Sequence, residues 1–383
     1  MKNIFLILIT FLFAPIFYLI IILNKYKRKK SQLRILVIDT GKIGDLVCTT
    51  PVFREIKKNF INSRLTVIIR EQSYGVVQDN PHIDEFVFLN NQRYKGVWEK
   101  IKFIKKIIKG KFYYSINLSP YAFNSVLSFW AGIPKRITSI SKFTGKTARL
   151  FSIFNNFKLE YKRHTSKLIH NLELLRFMGV KDYSDKKEVF SNSEEEKVVN
   201  DFLKNKGFKN DDFLIGISVT AGNKIKEWEP EKFTQLADKL INKLKAKIIF
   251  IGTLNDKIIL DSIKNNMINR AVVADNFKLN ELAAFLKKLK LFISVDTGPL
   301  YIAHAVGIPV VDIVGPCDID EQPPQDNNSE LIYNKIDCWP CSFVIPPARI
   351  CKNGHLRCLR DITPIMVYEA IIKLMKKNNY AIK

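Results

Sequence analysis

The chain has 383 residues, more than one hydrophobic core ordinarily organises, so two domains are expected. A hydrophobic content of 47% excludes wholesale disorder. The formal charge of +24 points to an anionic partner (nucleic acid, acidic lipid or a phosphorylated substrate), or to lysine spread over every solvated face.

Residues 4–23 are apolar except for Thr10 and Pro15. A helix of that length reaches roughly 30 Å, the thickness of a bilayer's hydrocarbon. "NKYKRKK" follows with no small-residue cleavage site, and a cleaved signal would carry its charges ahead of the apolar run. A membrane-anchor helix over residues 1–30 is therefore expected, or a re-entrant segment bent at Pro15. The positive-inside rule puts the body on the cytoplasmic face of the inner membrane.

Past the anchor, strand and helix alternate. "RILVI" (34–38) reads as a buried parallel strand, and Thr50-Pro51 reads as the N-cap and first residue of a helix. Between them lies "DTGKIGD". Gly41 and Gly44 do not make Gly-x-Gly-x-x-Gly, which argues against a nicotinamide-dependent enzyme. "RLTVIIR" (64–70), "FVFL" (86–89) and "YSINL" (114–118) are further strands, so βαβ units are expected. Residues 95–111 read as a basic amphipathic helix. Val97, Ile101, Ile104 and Ile108 share one face, and lysines around the others would suit anionic lipid or ordinary solvent.

The polar run 184–211 marks the domain boundary, giving domains over 31–190 and 191–383. A second alternating series follows, with strands at 213–219, 247–252, 271–275, 291–295 and 309–315 and helices at 230–244, 256–266, 280–289 and 299–306. In "FISVDTGPLYIAHAVGIPVV", Asp296 ends a buried strand, Thr297 and Gly298 turn, Pro299 opens a helix and Gly307 closes it. Such a helix start at a sheet's carboxyl edge suits a phosphate. "SVTAGNKIKEWEPEKF" adds Ser218, Thr220, Gly222 and Lys226 on another strand-end loop, able to neutralise a diphosphate.

Six cysteines are present. Cys338, Cys341, Cys351 and Cys358, in the segment 338–358, are spaced C-x2-C-x9-C-x6-C, which leaves three states open: a structural zinc site, packed reduced thiols, or disulfides, the last disfavoured in a reducing compartment.

Taken in order, "ILVIDTGKIGDLVCTTPVFREIK", "DNPHIDEFVFL", "YYSINL", "HNLELLRFMGV", "KEWEPEKF", "FIGTLND" and "FKLNELAAFLKKLKLFISVDTGPLYIAHAVGIPVVDIVGP" resemble glycosyltransferase family nine, the ADP-heptose:lipopolysaccharide heptosyltransferases. The resemblance spans residues 33–316, with a looser likeness to about residue 374. It implies an α/β GT-B fold, two Rossmann-like domains facing a cleft, here preceded by the membrane anchor. It also implies inverting, metal-independent sugar transfer from a nucleotide-activated donor. Asp45 would be the general base, with Gly44 and Lys42 on the acceptor side. Lys226, Asp296, Thr297 and Gly298 would contact the donor diphosphate together with the Thr220–Gly222 loop, and Asp256 would lie near the donor ribose. The implied donor is ADP-heptose and the implied acceptor a lipid-linked glycan beside an anionic membrane. No nucleic acid is expected and no cofactor is required, with structural zinc at the four clustered cysteines left open.

This chain departs from the family's pattern at Tyr301, where many relatives carry histidine, and His304, one turn on, would replace it only in part. The "DID" at 318–320 follows a strand in the wrong kind of domain for a metal-binding Asp-x-Asp. Two other readings stay open: a transferase using a different nucleotide sugar, and a non-catalytic glycolipid-binding scaffold of the same fold.

Overall fold

The structure is a computed structural model that describes residues 9–29, 32–89 and 96–379. The chain divides into two compact units. One takes the chain up to Gly41 with Thr49–Ser73 and Pro81–Asp185; the other takes Lys186 onward with Lys42–Cys48 and Tyr74–Asn80.

The first unit is built on β1 (Arg34–Ile38), β2 (Arg64–Ile69), β3 (Glu85–Phe88), β4 (Tyr114–Asn117), β5 (Lys135–Ile140) and β6 (Phe157–Glu160). They form one parallel sheet in the order β3-β2-β1-β4-β5-β6. Ile35, Leu36, Val37 and Ile38 are wholly buried, as a central parallel strand covered on both faces requires. Strands β5 and β6 escape the sequence reading. "KRITSI" opens on two cations, yet Arg136 is buried, its guanidinium donating to the carbonyls of Phe154, Ile133 and Pro134.

Three helices bear on the expectations. α1 (Ala14–Lys29) precedes β1 and follows a helical turn at residues 9–12; α2 (Ile43–Val47) follows β1; and α3 (Thr50–Asn59) comes next. The N-cap position of α3 falls at Thr49 rather than Thr50, one residue earlier than read, and the Thr49 hydroxyl donates to Asp39 Oδ2 (2.7 Å) instead of capping the helix. The basic helix, α4 (Val97–Lys109), is present, but its buried face is Phe103, Ile104 and Ile107, and Ile108 faces solvent.

Among the described residues no helix is long and apolar enough to cross a membrane, so the spanning anchor is not supported; residues 1–8 of that segment lie outside the described residues. One face of α1 packs on its own unit. Phe17 stacks on Trp130 of α5 (Ala122–Trp130) with ring centroids 5.5 Å apart, and Tyr18 sets its edge on Phe129. Asn24 Nδ2 donates to the Gly132 carbonyl (2.9 Å), and Arg28 donates to the carbonyls of Phe112 (2.7 Å) and Ala131 (3.3 Å). Hydropathy alone reports that such a face is apolar, not whether protein or lipid covers it.

The second unit repeats the plan. β7 (Leu214–Ser218), β8 (Lys247–Ile251), β9 (Val272–Ala274), β10 (Leu291–Val295), β11 (Val310–Val314) and β12 (Ser329–Tyr333) are all parallel, in the order β12-β11-β10-β7-β8-β9. Each sheet has the doubly wound order of a dinucleotide-binding fold, with the crossover direction reversing between β1 and β4 in one and between β7 and β10 in the other. The second core includes Trp228, whose ring meets Phe233 edge-on and whose Nε1 donates to the Ile362 carbonyl (3.0 Å).

Candidate active site

Because all strands of the second sheet are parallel, the loops after β7, β8 and β10 leave from one edge. Thr220, Gly222 and Lys226 follow β7, Asp256 follows β8, and Asp296 follows β10. β7 and β10 are neighbours at the point where the strand order reverses, the usual ligand crevice of such a sheet. That adjacency brings together residues 70 apart in sequence: Lys226 Nζ lies 2.5 Å from Asp296 Oδ2.

Asp296 is buried, and its other oxygen accepts from the Tyr301 hydroxyl at 2.6 Å. Burial pushes the Asp296 carboxyl up, but Lys226 and the Tyr301 hydroxyl outweigh it and leave it below the usual range. Burial likewise opposes charge on Lys226, and Asp296, aided by Cys317, reverses that and raises it. A fixed cation beside a helix start is the result, an arrangement able to receive a diphosphate. The helix is α12 (Gly298–Ala305), with Thr297 as its extended N-cap and Thr297 and Gly298 both partly exposed.

The turn that carries Asp45 packs on this helix. A Cβ added to Gly44 would sit 2.9 Å from Tyr301 Cδ2, and one added to Gly298 would sit 2.9 Å from Ile43 Cγ2. Each glycine thus admits the other segment's side chain, and both are required for the close approach. Asp45 Oδ2 accepts from the Lys42 backbone N–H (2.8 Å), and Oδ1 accepts from Gln322 Nε2 (3.3 Å). Lys42 is exposed and Asp45 half-buried.

Tyr301 is therefore more than a departure from a family pattern: its hydroxyl holds Asp296 and its ring is the surface on which Gly44 rests. His304 is engaged elsewhere, with Nε2 2.7 Å from Asp326 Oδ2 and Nδ1 3.4 Å from Lys187 Nζ. Asp256 uses Oδ2 to accept from both the backbone N–H (2.8 Å) and the hydroxyl (2.7 Å) of Thr253, capping the turn before α10 (Lys257–Asn265). Gly222 faces open space, so a side chain there would meet nothing. Asp318 accepts the Asp320 backbone N–H (3.0 Å), a local turn device.

Three residues beside these went unread in the sequence. Gln322 belongs to no motif and is found only by its contact with Asp45. Cys317, buried beside Lys226 and Asp296, has its thiol pushed well up by burial and then by the Asp296 charge. Asp312 lies wholly buried in β11, and burial followed by the Asp296 charge drives its carboxyl well up.

The model of glycosyltransferase family 9 (heptosyltransferase) matches residues 101–344. Lipopolysaccharide heptosyltransferase 3 of Escherichia coli strain K12 is 26% identical over 285 residues, covering 72% of this chain and 80% of that protein. A glycosyl transferase family 9 crystal structure from Veillonella parvula DSM 2008 superposes with a TM-score of 0.77 at 24% identity, covering 91% of this chain and 98% of that one. An E. coli heptosyltransferase solved with ADP gives a TM-score of 0.65 at 16% identity, over 89% of this chain and 100% of that one. With two doubly wound sheets, and with the Asp-Thr-Gly-Pro turn inside the matched region, the chain belongs to glycosyltransferase family 9 and is a glycosyl-transferring enzyme.

Proposed function

We propose that this enzyme moves a heptosyl residue from ADP-heptose, with inversion, onto a lipid-linked lipopolysaccharide-core acceptor. The observation that carries the reading is the Lys226–Asp296–Tyr301 group at the reversal point of the second sheet, with the Asp45 turn packed on the same tyrosine. Asp45 takes the proton of the acceptor hydroxyl as its oxygen attacks the anomeric carbon. The bond from that carbon to the donor phosphate breaks, and its electron pair leaves on ADP. Lys226 and the backbone N–H groups at the start of α12 receive the charge that builds on the diphosphate. Asp296 and Tyr301 keep the lysine in place. Thr220 and Gly222 line the loop that Lys226 ends, Asp256 presents its second carboxylate oxygen near the ribose, and Lys42 with Gly44 flanks the acceptor. The reading requires no cofactor. The heptosyltransferase solved with ADP supports the choice of nucleotide.

Nucleotide selectivity tests the donor. A melting series of the full chain with ADP, UDP, GDP, CMP and NAD is expected to show a shift with ADP, worth about 2.7 kcal/mol at a hundredfold excess over Kd. A selective UDP or GDP shift would keep the transferase and replace the sugar donor. No shift with any nucleotide would favour a glycolipid-binding scaffold.

The same reading places the enzyme on the membrane surface rather than through it. Leu12, Ile16, Leu19, Leu23 and Tyr26 repeat at helical spacing on the outer side of the N-terminal helical segment, all exposed, with exposed Lys25 and Lys27 at its end. An apolar stripe bordered by cations suits an anionic lipid interface. In flotation assays the wild type is expected to bind phosphatidylglycerol vesicles. A Leu19→Glu/Leu23→Glu variant should lose at least about tenfold in binding without a change in melting temperature. Equal flotation of the two proteins would remove α1 from the membrane contact.

A further inference from the structure

Gln322 stands in the loop between β11 and β12, and what fixes that loop also fixes where its amide points. The start of the loop is paired with the irregular segment that follows β12. Cys341 and Ser342 both donate their backbone N–H groups to the Pro316 carbonyl (3.1 and 2.9 Å), and the Asp318 N–H donates to the Ser342 carbonyl (3.1 Å). Cys317 and Ser342 thereby make a parallel β-bridge. Glu321, next to Gln322, is buried, and its Oε2 accepts from the Val344 N–H. On the other side come Pro323 and Pro324, both buried, and a proline restricts the residue before it to extended backbone. Gln322 is thus held through both of its neighbours.

Its half-buried side chain reaches two residues one helical turn apart, Asp45 in α2 and Cys48 at the end of that helix. Nε2 lies 3.3 Å from Asp45 Oδ1 and 3.7 Å from Cys48 Sγ, so each of its two hydrogens has an acceptor. Burial pushes the Cys48 thiol up to about 11, so the sulfur that Gln322 meets is a neutral thiol at neutral pH. An amide turned the other way would set its oxygen against the carboxylate, and the two acceptors together select the observed orientation. Asp45 Oδ2 meanwhile accepts from the Lys42 N–H (2.8 Å). The last torsion of an aspartate is intrinsically broad, and one donor on each oxygen defines the plane of this carboxylate.

We propose that Gln322 is a positioning residue for the general base: its amide holds the Asp45 carboxylate in the plane from which it takes the acceptor's proton. This role rests on Asp45 being the base. No bond to substrate forms or breaks at Gln322, and the proton passes from the acceptor hydroxyl to Asp45 alone. What the amide supplies is orientation, and misplacing a reacting group by about 1 Å costs on the order of 10²-fold in rate.

Gln322→Met, which keeps the length of the side chain and removes both N–H groups, is the test. Steady-state kinetics use ADP-heptose with a truncated lipopolysaccharide-core acceptor, or whichever UDP- or GDP-sugar the wild type consumes in its place. kcat is expected to fall about 10–100-fold, with the donor KM and the Kd for ADP within about threefold of the wild type. Because the amide acts through Asp45, adding Gln322→Met to Asp45→Asn should change the residual rate by less than about twofold, where independent effects would multiply. Gln322→Glu keeps the shape and replaces the donor with an oxygen; it should lose at least as much, and it stands in for the methionine variant if that one melts early. A wild-type rate in Gln322→Met beside a slow Asp45→Asn would overturn the positioning role and leave the base in place. Multiplying losses in the double variant, or a loss of ADP affinity in Gln322→Met, would overturn it as well. A wild-type rate in Asp45→Asn would remove the base and this role with it.

Discussion

Asp45→Asn is expected to lower kcat by about 10²–10⁴-fold while leaving the Kd for ADP within about threefold of the wild type. The substitution keeps the volume of the side chain. Its amide oxygen can still accept from the Lys42 N–H, which holds the turn at 2.8 Å in the native enzyme. On the other side the Gln322 amide can rotate to offer its oxygen in place of the Nε2 it now directs at Asp45. What disappears is a group that can carry the acceptor's proton. Steady-state kinetics with calorimetric ADP titration separates the outcomes. Loss of activity and nucleotide affinity together would mean that Asp45 is holding the turn against α12, and the base would have to be sought elsewhere.

The second large effect concerns stability. Lys226→Met removes the cation from a buried carboxylate and leaves Asp296 beside the Tyr301 hydroxyl and the Cys317 thiol. Breaking a buried pair from one side costs about 3–5 kcal/mol, since the remaining charge stays desolvated. The pH dependence follows from the two shifts. Asp296 is held below its unfolded value, so its contribution is present at neutral pH and is lost as pH falls through the folded value. Lys226 is raised, so its contribution is present below the ordinary lysine range and is lost only in strong alkali. The deficit of Lys226→Met should therefore be full at pH 8 and shrink towards pH 4, where the variant's Asp296 can take up a proton. Adding Asp296→Asn to the variant should recover much of the loss. Urea denaturation at the two pH values reads this directly, and a deficit that does not change with pH would show that packing, not charge, is what Lys226 supplies.

How much of this could be read from the sequence depended on whether a signal was local. The central strands are continuous apolar runs, so Arg34–Ile38 and Leu291–Val295 were placed to the residue. The outer strands Phe157–Glu160 and Ser329–Tyr333 carry charge, because each has a neighbour on one side only, and nothing in "FKLE" announces a strand. Lys226 and Asp296 were visible as strand-end residues, but their contact depends on β7 lying beside β10, a fact of topology. The importance of Tyr301 is likewise spatial, since one ring serves the carboxylate of Asp296 and the glycine of the Asp45 turn. The apolar N-terminal run was legible as hydrophobic, but what covers it was not, because composition does not distinguish a bilayer from Phe129 and Trp130.

The most direct measurement of the central claim is transfer itself. Wild-type enzyme would be incubated with ADP-heptose and a truncated lipopolysaccharide-core acceptor, and the product analysed by mass and by the configuration of the new anomeric centre. The account predicts an acceptor heavier by one heptosyl residue, with the configuration inverted relative to the donor and ADP released in equal amount. Retained configuration would contradict single displacement with Asp45 as base. No transfer from ADP-heptose under conditions where another nucleotide sugar is consumed would contradict the donor.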